Sequence, residues 1–266
     1  MDRPLLLRFL PIRLRPSVYY RFYRHRHEHW RELFRGAPLL CAPKVRMDLC
    51  CTDVSHGHIA FTGFYELDLT QAITRASREG GLLVDVGANY GYFSLLWAAG
   101  NPNNHVVAFE ASPRNLPALK RNVEINGFDQ QIEVRGVAVG RDAESLLFTP
   151  GPEDQTGWGG FAPDAGRDAV RVEVVRLDED LSCDRPVEFL KIDVEGADTW
   201  VLYGAERLLD RKRVRRIHFE QNKARMRALG IAEEEAASFL HRLGYRVKPL
   251  GNPNSDVVDY YAWPTP

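Results

Sequence analysis

No run among the 266 residues approaches the roughly 18 consecutive apolar side chains that a membrane-spanning helix requires. A secretory leader is not expected at this start, because Arg8 breaks the run Leu5-Leu6-Leu7, and Pro11 and Pro16 leave no apolar core of about 7 to 15 residues. The expectation is a soluble, cytoplasmic protein. Cysteine is scarce: Cys41, Cys50, Cys51 and Cys183 form no C-x-x-C pair, and neighbouring thiols do not easily share one tetrahedral metal ion. Reduced, unligated thiols are expected. Net charge is nearly absent as well, and a formal value of -1 provides no global field to gather nucleic acid. No internal repeat is visible.

The remainder has the make-up of an ordinary globular chain, 44% hydrophobic and 27% charged, which fits one α/β domain with a short appendage. The charge is unevenly placed, with eleven Lys or Arg against three acids in residues 1 to 46. That basic aromatic segment, 1–46, is expected to precede a catalytic domain at 47–266 carrying a lid-like insertion at about 150–166. Val18 to Tyr23, with Trp30, Leu33 and Phe34, spaces its aromatics as an amphipathic helix does. Its apolar side calls for the domain body, a second subunit in a homo-oligomer, or a lipophilic or anionic surface. His25, His27 and His29 read as a solvated helix face rather than as metal ligands.

Residues 45 to 65 suggest short strands, Ile59-Ala60-Phe61 among them, and Asp68 to Ser77 a helix. From residue 82 strands and helices alternate: strands at Leu82 to Val86, Val106 to Glu110 and Ile132 to Arg135, and helices from Tyr92 to Ala99 and Pro113 to Asn126. Segments 137–149 and 169–176 alternate around the insertion. Winding resumes with a strand at Val187 to Ile192, a helix at Ala197 to Leu209, a strand at Val214 to Glu220 and a helix at Ala232 to Leu243. Closing strands at Tyr245 to Lys248 and Val257 to Ala262 suit an antiparallel hairpin at the sheet edge. The pattern predicts an α/β, doubly wound, mostly parallel Rossmann-like sheet.

Three motifs carry the chemistry. An apolar strand ends in Asp85 and turns through Gly87-Ala88-Asn89-Tyr90-Gly91, where glycines let the backbone approach a ligand and a helix start offers free N–H groups. Asn89 stands where a dinucleotide fingerprint wants its middle glycine, and no glycine occupies position 92. Asp85 is placed to meet a cofactor amino group. Glu110, about 20 residues past the turn, has two acceptor oxygens for a pair of ribose hydroxyls. Phe189-Leu190-Lys191-Ile192-Asp193-Val194-Glu195-Gly196 then delivers two carboxylates to the carboxyl edge of the sheet, as bases or as helix caps.

These residues, with Tyr92-Phe93, Ala197-Asp198, Leu202-Tyr203-Gly204-Ala205 and the upstream Thr62-Gly63-Phe64-Tyr65-Glu66, resemble the FkbM family of methyltransferases over about residues 55 to 225. The resemblance implies a class I fold that moves a methyl group from S-adenosylmethionine, leaving S-adenosylhomocysteine, to a hydroxyl of a sugar or secondary metabolite such as a glycoside or polyketide. It implies a cofactor site of Glu66, Asp85, Gly87, Ala88, Asn89, Gly91, Tyr92, Phe93, Glu110, Ala111, Ser112, Asn115, Val137, Ala138 and Asp193. Residues 1–46 fall outside it.

An alcohol acceptor loses a proton on methylation, and Asp193, Glu195, His218 and Glu220 are the candidate bases. Thr156, Trp158 and Asn222 are candidate acceptor contacts, Thr156 and Trp158 belonging to the Gly-rich insertion. Mg²⁺ held by Asp193, Glu195 and Glu220 is conceivable, but no metal is expected. Two other readings share the glycine turn: an NAD-dependent oxidoreductase, for which the middle glycine and a Tyr-x-x-x-Lys pair are missing, and a non-catalytic Rossmann-like binding protein.

Overall fold

The structure is a computed structural model and describes residues 2–161, 168–181 and 185–265. The distal part of the insertion, 162–166, and Cys183 lie outside the described residues; Cys41, Cys50 and Cys51 are free thiols.

The centre is a seven-stranded sheet. In chain order its elements and their neighbours are α1 (Val54–Thr62), α2 (Leu67–Ala76), β1 (Leu82–Val86), α3 (Tyr92–Gly100), β2 (His105–Phe109), α4 (Leu116–Ile125) and β3 (Ile132–Arg135). After a small second sheet come β4 (Val187–Ile192), α5 (Asp198–Gly204), α6 (Glu206–Asp210), β5 (Ile217–Asn222), α7 (Lys223–Ala228), α8 (Glu235–Arg242), β6 (Tyr245–Leu250) and β7 (Val257–Pro264). Across the sheet the order is β6-β7-β5-β4-β1-β2-β3, with β5 to β3 mutually parallel and β7 antiparallel to both its neighbours. This is the mostly parallel, Rossmann-like α/β class that the alternating pattern predicts.

Every residue of β1 and of β4 is buried, as expected of strands covered on both faces. Val84, Val86, Leu190 and Ile192 pack with the residues of α5, α6 and α8 on one side, while Leu83 and Phe189 pack with Leu95, Trp97 and α2 on the other. Strand order reverses between β1 and β4, and the carboxyl edge at such a switch point is where open α/β sheets bind ligands.

Several expectations are corrected. Ile59-Ala60-Phe61 is helical, because Asp53 caps α1 by accepting from the His56 N–H at 2.8 Å and Gly63 closes it in the left-handed conformation. A three-residue apolar run does not by itself distinguish strand from helix. The single amphipathic helix of the N-terminal segment is instead a series of short turns, at Leu5–Phe9, Ile12–Leu14, Arg15–Val18, Tyr19–Tyr23 and His27–Phe34, with Trp30 outside helical geometry. His27 is buried rather than solvated: its ring lies 2.9 Å from both the Tyr19 hydroxyl and the Cys51 carbonyl oxygen. The segment packs Leu7, Tyr19, Leu33 and Phe34 on Ala60 and Phe61 of α1. The helix at 197–209 divides at Ala205, the strand begun at Val214 is regular only from Ile217, and α7 follows where no element was expected.

Segments 137–149 and 169–176 form the second sheet, in the spatial order Ala138–Val139, Val170–Val175, Glu144–Thr149, Gly160–Phe161. The described part of the insertion thus returns as a strand, after one tight turn at Thr156–Trp158.

Gly57 in α1 is where the N-terminal segment comes closest: a Cβ there would stand 2.3 Å from the Tyr19 hydroxyl and 2.4 Å from the His27 ring. Gly57→Ala should therefore destabilise the protein by about 1 to 3 kcal/mol through overpacking, although alanine is the better helix former by about 1 kcal/mol. Urea denaturation measures this; a variant as stable as the parent would refute the close packing.

Candidate active site

The site begins at the turn after β1. Gly87 has φ 79°, and a Cβ on it would stand 1.9 Å from the carbonyl oxygen of Asp193, so the ends of β1 and β4 touch backbone to backbone. Asn89 is left-handed at φ 50°, a conformation that asparagine tolerates better than most residues. Its N–H donates to Glu110 Oε2 at 2.7 Å. Glu110 follows β2 directly and is buried; its Oε1 accepts from the Ser112 N–H at 2.8 Å and the Asn115 amide at 3.4 Å. Burial pushes its carboxyl up to about 6 in spite of these donors.

Two cavities meet at this turn. The first, of about 620 Å³, is lined by Gly87, Asn89, Glu110, Ala111, Asn115, Val137, Ala138, Thr156 and Asp193, together with Phe148 and Phe161 of the second sheet. The second, of about 1,090 Å³, takes in Glu66, Ala88, Tyr92, Phe93, Trp158, Lys191, Glu195, Glu220, Asn222 and Arg225, with Ser55, His56 and Ile59 from α1. Gly87, Asn89, Gly157 and Asp193 border both.

Asp85, Gly91, Ser112 and His218 border neither. Asp85 and His218 are buried within the sheet. Asp85, Lys191 and His218 stand side by side on β1, β4 and β5. Lys191 Nζ lies 3.5 Å from Asp85, 3.3 Å from Asp193 and 2.9 Å from the Gly87 carbonyl oxygen, which accepts a hydrogen bond from it. Burial alone would lower the pKa of this ammonium, but Asp193, Asp85 and Glu66 hold it raised and charged. Asp85 also accepts from the Ser94 hydroxyl at 2.6 Å. It stands as a counter-ion to Lys191 beneath the turn. His218 is likewise buried, 3.6 Å from Asp259, and burial followed by Lys191 depresses its pKa to about 4.

The second cavity concentrates carboxylates. Glu195, left-handed at φ 57°, has its carboxyl raised to about 7 by burial and then by Asp193, against Arg225 at 3.2 Å and the Asn222 amide at 3.4 Å. Glu66, also left-handed, and Glu220 are held well above the usual carboxylate range by burial and then by Asp193. Behind them Asp198 is raised to about 8 and Asp259 to about 6 for the same two reasons. Among the described residues no group of three or more His, Cys, Asp or Glu is disposed to hold a metal ion.

The described part of the insertion is fastened over the junction. Asp53 accepts from both the N–H and the hydroxyl of Thr156, at 2.6 and 2.9 Å, while Arg114 donates to the Gly151 carbonyl at 2.9 Å. Arg225 donates to the Trp158 carbonyl at 3.0 Å as it pairs with Glu195. Trp158 itself is half exposed at the mouth of the second cavity.

Lys191, Asp53 and Arg225 were not assigned roles from sequence. Lys191 did leave a signal, a lysine inside an otherwise apolar strand, since lysine is almost never fully buried unless paired. Asp53 and Arg225 leave none, because the contacts they make are with residues far away in the chain.

The fold and this carboxyl-edge crevice define a class I methyltransferase-like α/β domain. A model of the methyltransferase FkbM domain matches residues 85–247, and the chain belongs to that family. It is 26% identical over 149 residues to Methyltransferase 1 of Beauveria bassiana, covering 48% of this chain and 59% of that protein. It is 33% identical over 99 residues to the 31-O-demethyl-FK506 methyltransferase FkbM of Streptomyces tacrolimicus, covering 37% and 36%. A third match, at 29% identity, is to the AMB antimetabolite synthetase AmbE of Pseudomonas aeruginosa, covering 70% of this chain and 11% of that one. The chain thus spans less than two thirds of each of these relatives. The crystal structure of the methyltransferase FkbM from Methylobacillus flagellatus superimposes with a TM-score of 0.49 at 17% identity, covering 83% of this chain and 56% of that one.

Two outcomes are expected. The folded-state values of Glu110, Glu195, Asp198 and Asp259 all exceed the ordinary 4.5 or 3.8, so the folded protein keeps protons that the unfolded chain has released. Stability is then greatest below about pH 4.5 as far as these groups are concerned, and declines as pH rises through about 6 to 8. Thermal melting of the ligand-free protein from pH 5 to 9 should show that decline, and Glu220→Gln should reduce it; a midpoint that climbs across this range would contradict the assignment. Gly87→Ala, which brings both a φ penalty and a backbone clash, should cost about 3 kcal/mol or more in urea denaturation, and parental stability would be the contrary result.

Proposed function

We propose that the chain is an S-adenosylmethionine-dependent O-methyltransferase acting on a hydroxyl of a sugar or secondary-metabolite scaffold, in natural product biosynthesis. The observation that carries this reading is the shared wall of Gly87, Asn89, Gly157 and Asp193 between two cavities of different character. One is narrow and equipped for a nucleoside; the other is wider, lined by carboxylates and aromatics, and open toward Trp158.

The residues of the first cavity fit the cofactor. The side-chain oxygens of Asn89 and Asn115 are buried there without a hydrogen-bond partner, which is costly unless a ligand supplies donors. Glu110, braced by two backbone N–H groups, keeps acceptor capacity for ribose hydroxyls. Bound S-adenosylmethionine supplies an electrophilic methyl group on a cationic sulfur. The protein contributes alignment at the shared wall, where positioning provides much of the acceleration of a displacement.

Glu195 is the base in this reading. Its carboxyl, near 7 and inside the acceptor cavity, is partly ionised at neutral pH and strong enough to take the acceptor's hydroxyl proton as the oxygen gains its methyl group. Asp193, paired with Lys191, stays at the wall as a hydrogen-bond acceptor that orients the acceptor oxygen. Asn222 and Arg225 hold Glu195 in place.

Calorimetry with S-adenosylhomocysteine and a methyl-transfer assay over a panel of glycosides and polyketides separate the parts. Glu110→Ala should weaken S-adenosylhomocysteine binding by about 10- to 100-fold, the cost of about two lost hydrogen bonds to a charged acceptor. Glu195→Gln should keep that binding and lower turnover by about 10²- to 10⁴-fold, and the parent's rate should rise as pH passes through about 7. Binding of NAD with none of S-adenosylhomocysteine would overturn the proposal.

A further inference from the structure

The N-terminal segment has an inner side that the fold uses and an outer side that it does not. Arg3 donates to the carbonyls of Ala60 (2.8 Å) and Pro38, and Arg15 reaches the carbonyls of Arg8, Leu10 and Thr62 at 3.2 to 3.3 Å. These two guanidiniums gather the first short turns and bind them to α1. With 3.6 residues per turn, the helix Leu5–Phe9 places Leu5, Leu6 and Phe9 on one side and Leu7 opposite. Leu7 is fully buried, while Leu5 and Phe9 are 67% and 82% exposed.

Leu14, Tyr20 and Phe22 are exposed as well, so six of the ten exposed large apolar side chains among the described residues fall within eighteen positions of this segment. Scattered surface apolar residues are ordinary, but such a concentration marks a contact surface. The charges between them decide what it contacts. Arg8, Arg13, Arg21, Arg24 and Arg26 are exposed within residues 5–26, which hold no acid; Asp2 just before them pairs with Arg8 at 3.2 Å, and Arg21 lies 5.7 Å from the Phe22 ring centroid. Apolar and aromatic side chains interleaved with arginines and nearly free of acids are the composition of an element that lies in a membrane interface, apolar groups in the acyl boundary and guanidiniums at anionic headgroups.

We infer that residues 5–26 form a docking surface for an anionic phospholipid bilayer, which the chain meets peripherally; no described helix is long and apolar enough to cross one. The proposal does not depend on the methyl-transfer reading. A soluble acidic protein would match the charge but would leave Leu5, Leu6 and Phe9 in water. A second copy of the chain would bring its own five arginines against these five.

Co-sedimentation of the full chain with vesicles tests it. Binding is expected to vesicles of phosphatidylcholine with phosphatidylglycerol, to be at least tenfold weaker with phosphatidylcholine alone, and to fall as salt screens the headgroups. Phe9→Ser with Phe22→Ser should weaken it about tenfold, and Arg13→Glu with Arg21→Glu by about as much or more, since each arginine near an anionic surface is worth roughly a fivefold change in partition. These side chains are exposed, so thermal melting should be unchanged; should the serine variant nonetheless melt early, the charge variant and the salt series of the parent decide. No retention on anionic vesicles, or equal retention on neutral ones, would overturn the inference. So would a concentration-dependent dimer in analytical ultracentrifugation that Phe9→Ser abolishes while vesicle binding is absent, since the patch would then be a subunit interface.

Discussion

A single buried ammonium organises the centre of the molecule. Lys191 sits in β4 with almost no access to water, and its charge is tolerated because Asp85 lies on one side, Asp193 on another, and the Gly87 carbonyl accepts a hydrogen bond from it. The two strands it joins are those between which the sheet reverses its winding. Removing one partner of such a buried charged group generally costs several kcal/mol, because the other charge is left uncompensated. The same contacts bring the Gly87 turn against Asp193, the wall that both cavities share.

Burial, and then Asp193, set the electrostatics around this charge. Glu66, Glu195, Asp198, Glu220 and Asp259 crowd the carboxyl ends of β4 and β5 and the amino end of the antiparallel β7, with Lys191 and Arg225 as the nearby cations. Like charges a few ångströms apart in a poorly solvated cavity cannot all ionise, so several of these groups keep protons at neutral pH. A site of this kind donates and accepts hydrogen bonds at once. Among these groups the Glu195 carboxyl is held at about 7.

The cover over this site depends on residues far apart in the chain. Asp53 both caps α1 and holds Thr156, and Arg225 joins the Trp158 carbonyl to Glu195. The N-terminal segment stiffens the arrangement from behind, by packing Tyr19 and His27 on Gly57 of α1. The other side of α1 faces the second cavity, which Ser55, His56 and Ile59 line.

Periodicity made most of the sheet legible. β1 to β4 and their helices were readable because strands buried on both faces are continuous apolar runs and their helices carry a 3.6-residue repeat, both local signals. The Gly87 turn, Glu110 and the pair Asp193 and Glu195 were readable because strand ends and tight turns constrain residue type. Ile59-Ala60-Phe61 and the aromatic run before it misled, since their conformation follows from Asp53, Gly63 and the packing of Tyr19, His27 and Phe34 rather than from spacing. The sequence by itself determined the fold class, the family and the carboxyl edge at which the two cavities lie. Only the tertiary structure decided that Asp85 and His218 stand beside Lys191 instead of facing a cavity, and that Asp53 and Arg225 close the site, because strand register and contacts across a hundred residues leave no local trace.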